Sequence, residues 1–214
     1  MEPLPRFFPL DRAIAFSDGI FAVVITILVL GIEVPSTDGL SGAASVLRRE
    51  RLLHQLLVYV VSFGLVGMYW SQHSFLFGSL KRMDRGLVVL NLVFLLPVTL
   101  LPFVTQLMGA NHKDWRTVLV FAVTNLCAVL MFERLWKQVA ARPEIHKDAE
   151  TAMVARRIRR GARIFGLILI SSVLLSLFDV RAGILLVLVM PVAYFFNLIR
   201  DPLGTPVDPS HEAD

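Results

Sequence analysis

Asp18 is the first residue whose chemistry needs an explanation. It lies in Arg12–Pro35, RAIAFSDGIFAVVITILVLGIEVP, where the run from Gly19 to Ile32 holds one polar side chain, Thr26. About twenty residues of this kind cross a bilayer as a helix. A carboxylate in hydrocarbon is costly, so Asp18 marks a functional or organising position that faces protein. Ser17 precedes it, Gln72 and His73 close the second apolar block, and Asn91 stands early in the third. At 1.5 Å per residue, Asp18 lies roughly 9 Å beyond Arg12, His73 roughly 12 Å before Lys81, and Asn91 roughly 9 Å beyond Arg85. One level therefore holds Ser17, Asp18, Gln72, His73 and Asn91, a buried hydrogen-bonded layer that would tie three helices together. Trp70 packs beside this layer or joins an interfacial aromatic belt. The layer is either internal glue or a proton- or ion-binding relay through Asp18 and His73.

Angular position separates a second set of residues. With about 100° per residue, Val23, Ile27, Leu30 and Val34 fall within roughly 40° of one another. Phe16, Gly19 and Thr26 lie on or beside this stripe, while Asp18 is roughly 140° from Val23. The first helix thus has two faces: Asp18 can anchor it to its own bundle while the Val23 stripe looks elsewhere. Read alone, such a stripe meets lipid or a neighbouring helix.

No catalytic arrangement emerges. Ser17, Asp18 and His73 supply the residue types of a hydrolytic triad, but adjacent Ser and Asp on one helix point about 100° apart, so the relay fails. His146 and Glu150 lack a third metal ligand and read as a solvated helix face. No metal site, organic cofactor or glycine-rich phosphate loop is indicated. The single Cys127 lies in an apolar block and forms no intrachain disulfide.

The elements that must position these residues are membrane helices. Of 214 residues, 56% are hydrophobic and 18% charged, with a mean hydropathy of +0.67. The apolar residues run in long blocks, the pattern of a polytopic, all-α membrane protein. Six spans are expected at about 12–34, 52–80, 86–108, 115–137, 160–178 and 182–199, between a lead over 1–11 and a disordered tail over 200–214. Pro97 and Pro102 predict a kink or unwinding in the third span. The arginines that open the fifth must snorkel. The net charge of +4 does not indicate nucleic acid, because the basic residues sit in loops. Fifteen Lys and Arg fall on the side of the termini and six on the other, which places both termini in the cytoplasm of a multi-pass cell-membrane protein.

Arg12-Ala-Ile-Ala-Phe16-Ser17-Asp18-Gly19 resembles the RxxxFSD signature that opens the first helix of the transmembrane protein 175 family of potassium channels. The six spans and the Trp70/His73 segment extend the likeness along the chain. The resemblance implies a homotetramer in the lipid bilayer whose four first helices line a pore for potassium ions, without a TVGYG-type filter. It places Val23, Ile27 and Leu30 in the hydrophobic constriction, with Val23 smaller than the family's usual isoleucine or leucine. Thr26 falls at a hydroxyl position implicated in potassium preference. Arg12, Phe16, Ser17 and Asp18 fall on the signature, which packs against the second and third helices. Two rivals stand beside this reading: a proton-coupled secondary transporter using Asp18 and His73, and a non-conducting scaffold that presents the Arg156–Arg163 segment to a partner.

Overall fold

A computed structural model describes residues 7–33, 43–111, 113–142, 145 and 151–200. The expectations for Pro35, for the His146/Glu150 pair and for the tail beyond residue 200 lie outside these residues. The apolar blocks form seven helices among the described residues: α1 (Leu10–Leu28), α2 (Ala43–Gly78), α3 (Arg85–Thr99), α4 (Leu101–Ala110), α5 (Trp115–Ala140), α6 (Thr151–Ser176) and α7 (Val180–Arg200). Six spans were expected, and the difference is the break between α3 and α4 at Leu100. Pro97 and Pro102 both lack an N–H, so the ladder cannot run unbroken through this point. Leu100 N–H instead bonds Pro97 O at 3.2 Å, and Val104 N–H bonds Leu100 O at 3.1 Å. Together α3 and α4 make one apolar run of 26 residues.

Other boundaries moved for local reasons. The first helix was expected to reach residue 34, but α1 tightens into a 3-10 turn over Val29–Gly31 and Ile32 is extended. Gly31 is a weak helix former and packs against Gln106, so the helix ends before the proline is reached. The second helix starts at Ala43 rather than near 52, since no proline or glycine interrupts Ala43–Phe63. The fifth span begins at Thr151, so the arginine-rich segment is helical. Among the described residues, four helical runs are long and apolar enough to cross a membrane. The apolar parts of α6 and α7, Gly161–Ser176 and Val180–Phe196, are shorter.

Packing follows small residues. α2 receives α7 where Gly64 faces Pro191 and Gly67 faces Phe195. α6 and α7 close on each other at Gly183, where an added Cβ would lie 2.6 Å from Ser172 O. At the end of the bundle that holds the N-terminus, Phe7–Phe8 (β1) pairs antiparallel with Met83–Asp84 (β2). Asp84 caps α3 through Leu87 N–H at 2.8 Å and pairs with Arg142. Lys81 N–H bonds Ile145 O at 2.8 Å, so the α2–α3 turn is fixed to the end of α5. α1 packs chiefly against α2, α3 and α4 and is the least enclosed long span, 28% buried against 44–50% for the other three.

Candidate pore face and its polar support

The buried face of α1 is Ala13, Ser17, Phe21, Val24 and Leu28, spaced by three and four residues as one helical face requires. At its centre Ser17 donates to Ala13 O at 2.9 Å and accepts from Asn91 Nδ2 at 2.9 Å. The Asn91 Oδ1 is 2.9 Å from His73 Nε2. Because Ser17 gives its own proton to Ala13 O, Asn91 must turn its NH2 toward Ser17 and its oxygen toward the histidine, and an amide oxygen only accepts, so His73 donates here through Nε2. The His73 ring is 1% exposed, stacked on Phe77 at 4.1 Å and on Phe94 at 5.9 Å, with Phe21 meeting it edge-on at 5.5 Å. Asp18 is half-buried on the flank of this cluster and accepts from Trp70 Nε1 at 2.9 Å.

The structure thus brings together Ser17, Asp18, Trp70, His73 and Asn91, through one bonded chain and one separate pair. Gln72 does not join them: it makes no hydrogen bond among the described residues. Depth placed it correctly, but adjacent helical residues point about 100° apart, and only His73 can face Asn91. Nor do Arg12 and Phe16 pack into α2 and α3 as the signature implied. Arg12 is exposed, and Phe16, one residue from Ser17, is turned outward with 55% of its surface open. Asp18 and His73 share no hydrogen bond; each is committed to a different partner.

On the opposite face of α1, Val23 and Ile27 are exposed, and Leu30, in the 3-10 turn that continues it, is the most exposed of the three at 75%. Thr26 lies beside them, its hydroxyl within 3.0 Å of Ala22 O and 2.9 Å of Val23 O. Donation to its own helix uses the hydroxyl proton and leaves oxygen lone pairs facing outward. An apolar groove of about 730 Å³ runs along this face between α1 and the α3–α4 break, lined by Phe16, Val23 and Ile27 on one side and Thr99, Pro102 and Phe103 on the other. An apolar helix face with no cover in its own chain is the surface a neighbouring subunit or lipid must occupy.

Several polar links escaped the sequence reading. Tyr69 donates to Asn125 Oδ1 at 3.0 Å, Thr105 to Ser62 at 2.8 Å, and Tyr194 to Ser71 at 2.9 Å. Each joins α2 to a different helix. The available signal was an isolated polar residue within an apolar block.

Comparison with known proteins agrees with this geometry. The model of the family described as "Endosomal/lysosomal potassium channel TMEM175" matches residues 12–102. A potassium channel of Streptomyces collinus is 32% identical over 152 residues, which cover 69% of this chain and 73% of that protein. The endosomal/lysosomal proton channel TMEM175 of Bos taurus is 29% identical over 163 residues, 73% of this chain but 33% of the longer relative. Among solved structures, a lysosomal potassium-selective channel TMEM175 homologue from Chamaesiphon minutus superposes with a TM-score of 0.68 at 25% identity, covering 88% of this chain and 97% of that one. The chain belongs to the TMEM175 family of ion channels.

Proposed function

We propose that four copies of this chain form a potassium-conducting pore in the cell membrane, with the Val23–Ile27–Leu30 stripe of each α1 turned toward a shared axis. The observation that carries this reading is the division of α1. Ser17 and Asp18 are bonded inward to α3 and α2, while the stripe is exposed and uncovered among the described residues. The Streptomyces collinus relative is named a potassium channel, and the Chamaesiphon minutus structure is described as potassium-selective.

In the closed state, rings of Val23, Ile27 and Leu30 exclude water, and an ion cannot shed its hydration there without compensation. A small rotation or splay of α1 widens the rings and lets the pore wet. Four Thr26 oxygens then replace part of the hydration shell, which favours the less tightly hydrated potassium over sodium. Without a cage of backbone carbonyls the preference is modest. The excess of basic residues on the α2–α3 and α5–α6 side places both termini in the cytoplasm.

A proton relay through Asp18 and His73 has less to support it. The histidine is walled by three phenylalanines, and its Nε2 is held by Asn91 rather than by the carboxylate. The pore assignment is tested by Val23→Asn and Ile27→Asn in planar bilayers. Placing an amide in the seal should raise potassium leak severalfold in at least one of the two. Unchanged conductance in both would refute the assignment.

A further inference from the structure

Beyond the C-terminal end of α1, beside Glu33, the groove continues into a second pocket of about 310 Å³. Its walls include Leu30 and Phe103, and its polar groups are Glu33, Gln55, Gln106 and Asn111. Gly31 admits Gln106, and Gly109 lies in ordinary contact with Gln55. A Cβ on Gly31 would lie 2.4 Å from Gln106 Cγ, and one on Gly109 would lie 3.5 Å from Gln55 Cγ. Gln55 is 5% exposed although it ends in a carboxamide. Asn111 donates its Nδ2 to Leu107 O at 2.9 Å, which leaves its oxygen as the group it can offer.

We infer that this pocket is a loading site for a partly hydrated monovalent cation, with Glu33 supplying the charge and Gln55, Gln106 and Asn111 supplying oxygens. The inference rests on the pore reading above, because Leu30 belongs both to the pocket wall and to the stripe. At about 30 Å³ per water, the pocket has room for roughly ten waters, enough for an ion with most of its shell. One carboxylate among neutral oxygens attracts a cation without trapping it, as conduction requires. A pocket built from several carboxylates would instead suit a divalent ion. Repeated around a symmetry axis, four such pockets would raise the cation concentration at the mouth of the pore.

The alternative is a diffuse surface charge with no site, and the two differ in what Gln106 does. The full chain is reconstituted in planar bilayers, and single-channel potassium conductance is read from about 10 mM to about 1 M salt, where the screening length shrinks from about 30 Å to about 3 Å. Glu33→Gln should lower the low-salt conductance at least about twofold and converge on wild type at high salt. Glu33→Asp should keep most of the conductance. Gln106→Leu, which changes no charge, should lower the low-salt conductance as well. Thallium(I) binding to the purified protein gives a readout independent of flux, and a saturable component should be lost in Glu33→Gln. The loading site is overturned if Gln106→Leu overlays wild type, or if no thallium binding depends on Glu33. Failure of the pore reading would look different: Val23→Asn and Ile27→Asn would then leave conductance unchanged, whatever the thallium result.

Discussion

Asn91 commits both ends of its carboxamide inside the bundle, one to Ser17 of α1 and the other to His73 of α2. Removing it orphans the His73 N–H, the costlier half of losing a buried hydrogen bond. Hydrogen bonds between membrane helices contribute about 0.6 kcal/mol on average and up to about 1.7. Asn91→Leu, with two such bonds lost, should therefore cost about 1–3 kcal/mol, seen as a lower thermal midpoint in detergent. An unchanged midpoint would mean the layer contributes nothing to holding α1. Thr26 makes a separate prediction: Thr26→Val keeps the shape but removes the oxygen and should reduce potassium over sodium permeability, while Thr26→Ser keeps it. Reversal potentials under bi-ionic conditions decide this. Ser17, His73 and Asn91 were legible in the sequence because depth in a helix is linear in residue number. Gln72 was misassigned because depth alone omits rotation, whereas the angular reading that put Phe16 beside the Val23 stripe agrees with its exposure. The Tyr69–Asn125 link was not legible, since no calculation along one helix reports which partner another helix brings.

At the scale of elements, the prolines of the third span were readable and their consequence was larger than a kink. Splitting the span gives Phe103 and Gln106 to a short helix, α4, that runs beside the exposed face of α1 and walls both pockets. Helix ends were harder to read. The close fit of Gly31 against Gln106, 75 residues away in the chain, is encoded by no local pattern. Gly183 shows the same limit. Nothing around it in sequence distinguishes it, yet α6 and α7 close on it so tightly that even Ala meets a backbone oxygen. Gly183→Leu should therefore destabilise by about 1–3 kcal/mol, the ordinary range for overpacking. The same substitution at Gly19, where an added Cβ meets nothing within 4 Å in the single chain, should leave the fold of the subunit intact. Circular dichroism melts of the two variants compare them directly.

At the scale of the molecule, the bundle divides into a well-packed body and one loosely enclosed helix. α5 packs against α3, α4, α6 and α7 at the heart of the body, while α1 leans on its flank. The start of α1 is nevertheless tethered. The β1–β2 pair joins it to the α2–α3 turn, which Arg142 and Ile145 fix to the end of α5. A helix held at its base and along one face, and bare on the other among the described residues, is suited to tilt as a unit. The six-span membrane class was visible in hydropathy alone. Assembly was not, because one chain's pattern cannot say whether a bare stripe meets lipid or its own image.

The most direct test of the proposed pore uses thiol accessibility. In a Cys127→Ala background, Val23→Cys and Ile27→Cys are compared with Val89→Cys, which is 57% exposed on α3. Silver ions applied in planar bilayers should block potassium current through the two α1 variants and leave the Val89→Cys current unchanged. Full current through both α1 variants in the presence of silver would contradict a pore lined by this helix.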